Sequence, residues 1–555
     1  AESGRVARPL DGPLRAFVYS PVRPHPCALR WQEERQSLLI AGNYGATRGS
    51  YGAVSADSPR ICLRFSDAYL GGKRSAWLAR LRSAGFVIEQ TSADLVAVAA
   101  PDEMLFATYA ELNCGFSAGF GYMAFAGLAS QAAVNSPLAP RRPHFVPKAK
   151  RVIFCCMRGG PSHVDTFDHK PALVRDEGKE LPKFRNRELM PSPWEFKRHG
   201  QSGLQVSELF PNLAQHADDL CLLNGMYSSV PAHPQSFLQL HTGSFQFVRP
   251  SMGSWVLYGL GSENQNLPGF ISLCPPDNVG GAQNYGSAFL PAFYQGTKIG
   301  NFNQNIKAAS LRNLGNQNMS GKLQRRQLDF VQSLNRDLLD RKKQSSQIEG
   351  VIESYELAFR MQSAVPELMD ANDENESTLE QYGINNRATE NFGRQCLMAR
   401  RFAEAGVRFI EITHGNWDQH RNLNAALTRN CAATDKPLAA LLKDLKERGL
   451  LEDTLVVWGG EFGRTPHIRQ DDGRDHNSTG FSFWMAGGGV KGGMVHGATD
   501  EHGVAAVENR MHFHDLHATI LHLLGLNHEK LTYKYAGRDF RLTDVHGEIA
   551  HDIIA

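Results

Sequence analysis

The stretch VVWGGEFGRTPHIRQDDGRDH (residues 456–476) decides how this chain is read. It starts as an apolar strand, leaves through Gly459 and Gly460, puts a carboxylate at Glu461, and brings Asp475 and His476 one loop later. In an open parallel sheet, ligands bind at the carboxyl ends of the strands, where loops and helix N-termini converge. A strand that exits through Gly-Gly lets backbone approach closely and throws the next side chain into the crevice. Glu461 is therefore a candidate site residue. The alternative is a surface glutamate after a turn.

Working outward, the chain from residue 148 onward alternates strands and helices. Strands are predicted at 152–157, 220–224, 270–273, 407–412, 454–458 and 481–486. All are short, apolar and without clean alternation, which suits strands covered on both faces of a parallel sheet. The helix before the opening stretch is predicted to start at Thr434 as its cap, with Pro437 in its first turn. Leu438, Leu441, Leu442 and Leu445 form one stripe, and Gly449 ends it. The expected class is α/β, a doubly wound, mostly parallel sheet. A charged, glycine-poor segment at about 320–401 reads as an inserted helical hairpin, more cover than chemistry.

Two further strand ends carry the same kind of cargo. The first strand exits into RGGPSHVDTFD, offering Ser162, His163, Asp165 and Asp168; the fourth exits into THGNWDQH, offering His414, Asp418 and His420. Three such clusters on one sheet edge point to a divalent metal held by oxygen and imidazole ligands, because a cation removes the repulsion between crowded carboxylates.

The remaining composition is that of an ordinary globular protein. With 555 residues, 42% hydrophobic and 21% charged, the chain can bury one large α/β core or two smaller ones. A formal net charge of +2 gives no general argument for nucleic acid or an anionic membrane. Nine cysteines show no CxxC pair and read as mostly buried thiols. Residues 1–112 lack sustained periodicity and are expected to form a poorly structured or non-native extension. Residues 113–147 contain GFSAGFGYMAFAGLASQAA (115–133), similar to the apolar part of an export signal with a cleavage box at Ser130-Gln131-Ala132, followed by a linker with Pro137, Pro140, Pro143 and Pro147. No twin arginines precede it, and a buried glycine-rich helix is the alternative. Residues 148–555 are the expected main domain.

The motifs then resemble a known group. LLKDLKERGLLEDTLVVWGGEFGRTP looks like the helix, turn and strand that carry a metal-binding Asp-His or Asp-Asn pair in sulfatases and the alkaline phosphatase superfamily, with Glu461 where the aspartate falls. MYSSVPAHPQSFLQLHTGS resembles the sulfatase nucleophile segment, and FHDLHATILHLLGL with YAGRDF its C-terminal helix and turn. GRDHNSTGFSFWMAGGG and WDQHRN are similar to metal-ligand segments of the cofactor-independent phosphoglycerate mutases, matching His476 and His420. From about residue 148 to the end, with MRGGPSHVDTFD and WGGEFGRTP, the chain most closely resembles the DUF1501 family. That family is an uncharacterised, typically exported branch, abundant in planctomycete-like bacteria.

The resemblance implies a sheet of alkaline phosphatase/sulfatase type and a set of site roles. Asp418, His420 and His476 are expected to ligate one divalent ion (Zn, Mn, Ca or Mg). Asp165 and Glu461, with His233, are expected at a second ion. His233 falls at the sulfatase nucleophile position and the Cys-x-Pro-x-Arg signature is absent, which argues against formylglycine chemistry. Ser236 is a substitute nucleophile candidate, with an ordinary helix serine as the alternative. Arg464 is a candidate anion-holding fork, or a structural ion-pair partner. His163 and Asp475 are expected to orient ligand histidines, and His512, His514 and His517 to be structural. Phe462 stands where a ligand is usual. The implied function is an exported, metal-dependent hydrolase of phosphate or sulfate esters, periplasmic or at the cell surface, acting on an anionic ester or a sulfated or phosphorylated glycan. No nucleic acid and no integral membrane span are expected. The alternative is a non-catalytic relative that binds an anionic glycan or a surface partner.

Overall fold

The computed structural model describes residues 138–555, apart from residue 183, residues 310–318 and residues 343–345. Of the chain before residue 138 it describes only the backbone of seven short strands, from Leu14–Val18 to Leu95–Ala99. These strands form one four-stranded and one three-stranded antiparallel sheet. The rest of the extension expected over residues 1–112, and the signal-like segment 115–133, lie outside the described residues. The chain divides into Ala1–Ser136 and Pro137–Ala555.

The second unit is built on a nine-stranded sheet. Its strands are β1 (Arg151–Met157), β2 (Leu220–Tyr227), β3 (Phe270–Leu273), β4 (Thr297–Ile299), β5 (Phe409–His414), β6 (Thr454–Gly459), β7 (Phe481–Ala486), β8 (Met494–His496) and β9 (Met511–His512). Their order is β4-β3-β5-β1-β6-β7-β2-β8, with β9 also beside β2. All pairings are parallel except those of β7 with β6 and β2. The expected α/β class with a mostly parallel sheet therefore holds. β1, β6 and β7 are buried at every residue, as continuous apolar runs should be. Where β6 meets β7, Trp458 faces Trp484 and the two rings stack with centroids 6.1 Å apart.

Eight helices matter for the argument: α1 (His163–Thr166), α2 (His233–Thr242), α3 (Met252–Leu260), α4 (Gly321–Lys342), α5 (Ser346–Met369), α6 (Glu390–Glu404), α7 (Leu423–Glu447) and α8 (Phe513–Leu523). The pair α4 and α5 occupies the place expected for the hairpin. α6 overlaps the end of the expected span 320–401, but it buries Phe392, Cys396, Leu397 and Phe402 in the main core.

The helix before the opening stretch starts earlier than expected. Thr434 lies in the middle of α7, not at its start, and its hydroxyl bonds back to the Asn430 carbonyl at 2.9 Å. Pro437 sits inside the helix, where it removes one N–H. The helix runs through because Leu423, Leu427 and Cys431 extend the buried stripe toward its N-terminus, and packing of that stripe outweighs one lost bond. Gly449, at φ +66°, ends it as expected. Among the described residues no helix is long and apolar enough to cross a membrane.

Candidate metal centre

The double glycine that ends β6 has a steric reason. A Cβ on Gly459 would lie 2.4 Å from the Phe483 ring of β7, and one on Gly460 would lie 2.5 Å from the Met157 carbonyl of β1. The double glycine lets β6 end between its two neighbours. On the β1 side, Gly159 takes φ +118°, and a Cβ there would lie 2.6 Å from the Asp418 amide. The exits of β1, β5 and β6 are thereby drawn together, and Glu461 ends fully buried between them.

Glu461 is spent on its neighbours. The Gly159 N–H donates to both of its carboxylate oxygens, at 3.0 and 3.1 Å, and His233 Nδ1 lies 2.5 Å from Oε1. His233 is the first residue of α2, which follows the exit of β2, and Pro234 in that first turn suits a helix start. A carboxylate behind Nδ1 fixes the imidazole with Nε2 pointing outward, the arrangement that orients metal-binding histidines. Glu461, expected among the ligands, thus stands one hydrogen bond behind them.

The outward Nε2 of His233 lies 3.3 Å from Asp418 Oδ1. The same oxygen is met by His476 Nε2 at 3.3 Å and His420 Nε2 at 3.0 Å. Asp418 and His420 come from the loop after β5. His476 comes from the hairpin Gly463–Ile468 and Arg474–Asn477 that follows Glu461, in which Arg464 pairs with His476. The loop after Glu461 is therefore a short hairpin that folds Asp475 and His476 back over the strand ends. His476 Nδ1 donates to the Pro231 carbonyl at 2.7 Å, which leaves its Nε2 as an acceptor facing Asp418. His233 Nε2 is buried and has no hydrogen-bond partner among the described residues. Two imidazole lone pairs and a carboxylate oxygen thus face one another. A proton on His233 or a cation between the three resolves that repulsion. The residues present fit a divalent ion of the zinc or manganese type, which takes imidazole and carboxylate together.

The electrostatics follow the same crowding. Burial pulls the His233 imidazolium down, yet the nearby Asp418 and Glu461 carboxylates outweigh this and raise it to about 9. Burial pushes the Asp418 carboxyl up, but His233, His476 and the Arg464 guanidinium hold it far below the usual carboxylate range. His420 is drawn down to about 4, first by burial and then by Arg464. Its ring is also touched by Arg469, whose guanidinium bonds Asp475 at 2.9 Å. His420, Asp475 and His476 form a second ligand-bearing group that shares His476 with the first.

Three other candidates are taken up by partners within the protein. Asp165 is not with Glu461 and His233: it is fully buried in a two-pronged pair with Arg474, at 2.7 and 2.9 Å, and Ser162 adds a third bond. The reason lies in the hairpin, which carries the buried Arg474 back to α1, where its charge needs a carboxylate. Ser236 is fully buried, and its hydroxyl donates to the Glu461 carbonyl at 2.5 Å and contacts Ser228. It holds the β6 exit in place and is closed to substrate. Arg464 is fully buried as well; it donates to the Gly159 and Gly160 carbonyls and to Asp418 Oδ1 at 2.6 Å. Its fork positions the aspartate and leaves nothing for an external anion. His163 bonds the Gly503 carbonyl, and His517 the Leu240 carbonyl.

Two arginines at the rim were missed in the sequence. Arg187 bonds Asp475 at 2.9 Å and is 43% exposed, and Arg469 is 39% exposed. Arg469 lies next to the tight turn that closes the hairpin, a signal that was available. Nothing in the sequence around Arg187 pointed to the site.

Residues 149–554 match the family described as "Protein of unknown function (DUF1501)". The chain belongs to the DUF1501 family. No curated protein matches it. Solved structures similar to this DUF1501 chain include the PsFucS1 sulfatase from Pseudoalteromonas sp., with 14% identity, coverage of 70% of this chain and 69% of that one, and TM-score 0.30. The lipoteichoic acid synthase LtaP from Listeria monocytogenes has 11% identity, 74% and 80% coverage, and TM-score 0.31. The alkaline phosphatase from the Antarctic bacterium TAB5 has 11% identity, 68% and 98% coverage, and TM-score 0.28. Likeness at this level bears on neither activity nor ligand.

Proposed function

We propose that His233, Asp418 and His476, with His420 beside them, hold a divalent cation, and that this DUF1501 chain is a metal-dependent hydrolase of phosphate or sulfate esters. The observation that carries the reading is the convergence of three imidazole Nε2 atoms on one Asp418 oxygen at 3.0 to 3.3 Å. A bound divalent ion would neutralise charge on the ester oxygens and lower the pKa of a water. The chain's own residues supply the rest. Glu461 holds the His233 tautomer, Pro231 holds that of His476, and Arg464 fixes Asp418. Arg187 and Arg469, exposed at the rim, offer N–H donors to anionic oxygens of a sulfated or phosphorylated glycan. With Ser236 sealed, water is the nucleophile.

That sealing also favours a second reading, in which the site binds an anionic glycan or surface partner without turning it over. Export to the periplasm or cell surface belongs to both readings and rests on the signal-like segment 115–133.

The test is metal content together with hydrolysis of a chromogenic phosphate and a chromogenic sulfate, with zinc, manganese, calcium or magnesium added in turn. Wild type should bind metal and turn over one of the two esters, and His476→Ala should lose the strand-end ion and, with it, the turnover. Metal binding without turnover of either ester selects the binding reading. Unchanged metal content in His476→Ala removes the centre.

A further inference from the structure

A second group of ligand-type side chains lies inside the core, apart from the strand-end centre. Cys156 on β1, Glu411 on β5 and His241 on α2 are all buried, and their ligand atoms lie within 4.8 Å of one another. β1 and β5 are neighbours in parallel register, with Thr413 opposite Cys156 and Glu411 opposite Phe154. Ser272 of β3 stands opposite Glu411 on its other side. Strand alternation therefore puts Cys156, Glu411, Thr413 and Ser272 on one face. His241 packs over it, with its ring 5.9 Å from that of Phe154.

The hydrogen bonding of this group does not close. His241 Nδ1 donates to the Phe237 carbonyl at 2.8 Å, as a carbonyl can only accept, so Nε2 is turned toward Glu411. Nε2 and Glu411 Oε1 are 3.2 Å apart. Two ligand atoms about 2.0–2.1 Å from one tetrahedral ion stand roughly 3.3 Å apart. The other oxygen, Glu411 Oε2, has no hydrogen-bond partner among the described residues; nor do Thr413 Oγ1 and Ser272 Oγ. Three orphaned oxygens on one buried face, one of them the carboxylate's own and two the hydroxyls beside it, are uncommon in a native core, and each calls for an unseen partner. A proton shared between His241 and Glu411 would satisfy only the contact already made.

We propose that Cys156, His241 and Glu411 form a closed metal site for a divalent ion of the zinc class, with Thr413 and Ser272 anchoring the water that completes its shell. Thiolate, imidazole and carboxylate together select zinc over calcium or magnesium, which take oxygen ligands alone. The site would pin α2 to β1 and β5. Because the first turn of α2 carries His233, the ion would also set the distance from His233 to Asp418. The proposal goes beyond the hydrolase reading and stands or falls separately from it.

Cobalt(II) reports the thiolate directly. Full-length protein stripped of metal and reloaded with cobalt should show the near-ultraviolet sulfur-to-cobalt charge-transfer band and the strong visible absorption of a tetrahedral ion. Cys156→Ala should lose that band and about one equivalent of bound zinc. His476→Ala should keep the band while losing the strand-end ion. A cobalt-loaded wild type without a sulfur band overturns the proposal, and so does a band that survives in Cys156→Ala. If Cys156→Ala fails to fold, Glu411→Gln takes its place, and the wild-type spectrum decides in either case.

Discussion

Asp165 and Asp418 each face an arginine from the same hairpin, and the two aspartates end in opposite conditions. Asp165 meets Arg474 through two bonds, both side chains are fully buried, and Ser162 takes up the remaining capacity. Asp418 meets Arg464 through one bond, remains 44% exposed, and has three imidazoles turned toward the same oxygen. In the first pair charge and hydrogen bonding close on themselves, as a buried ion pair must if it is not to destabilise the fold. In the second there is more nitrogen than one carboxylate oxygen can use, within reach of solvent. A candidate ligand is better recognised by this surplus than by its residue type or its place after a strand.

The comparison breaks first under paired substitutions. Asp165→Asn leaves Arg474 buried without its counter-charge and should cost about 3–5 kcal/mol of unfolding free energy, read by denaturant titration, with metal content unchanged. Asp418→Asn keeps a hydrogen bond to Arg464, which also retains the Gly159 and Gly160 carbonyls, so the stability loss should be smaller. It should nevertheless abolish metal binding at the strand ends, read by elemental analysis. If Asp165→Asn loses the metal and keeps its stability, the assignments of the two aspartates must be exchanged.

A finer test concerns the group behind the ligands. Glu461→Gln keeps the size of the side chain and an acceptor for the Gly159 N–H, but removes the charge that holds His233 Nδ1. Loss of such an orienting carboxylate typically costs 10–100-fold in metal affinity. A drop in that range, measured by competition with a chelator, supports the placement behind His233. Complete loss of binding would make Glu461 a ligand in its own right, and no change would make it a purely structural acid.

What could be read in the sequence divides along the same line. The strands at residues 270–273 and 481–486 were legible to the residue, because short runs of apolar and β-branched or aromatic side chains have few other uses in a buried sheet. Asp418 and His420 follow the strand expected at 407–412, which in the structure is Phe409–His414, and His476 comes one loop after β6, a loop that in the structure is the hairpin. The start of α7 was not legible: Thr434 and Pro437 are real helix-start signals, and only the buried stripe from Leu423 to Cys431 overrides them. Nor could spacing show that Glu461 and His233 touch across 228 positions, or that Arg474 takes Asp165. Those pairings are set by the hairpin's path, and residue type alone made Asp165 and Glu461 look alike. The signal-like segment 115–133 and the extension expected over residues 1–112 belong to a part of the chain on which these contacts have no bearing.

The smallest expected effect is also the sharpest test of how hydrolysis proceeds. Ser236 is the hydroxyl nearest the place where the sulfatase resemblance puts a nucleophile, and its oxygen donates to the Glu461 carbonyl from a fully buried position. Ser236→Ala removes that donor without adding volume, and alanine suits the first turns of α2. The cost should be the ordinary one for a single buried hydrogen bond, about 1 kcal/mol. The Glu461 side chain would still be held by Gly159 and His233, so metal affinity and any esterase rate should stay within about twofold, since a twofold change is under 0.5 kcal/mol in a barrier. A nucleophilic serine predicts the reverse pattern, in which stability is nearly unchanged and turnover falls to background. Measuring melting and turnover on the same preparation separates the two, because the hydroxyl cannot both seal the β6 exit and attack an ester.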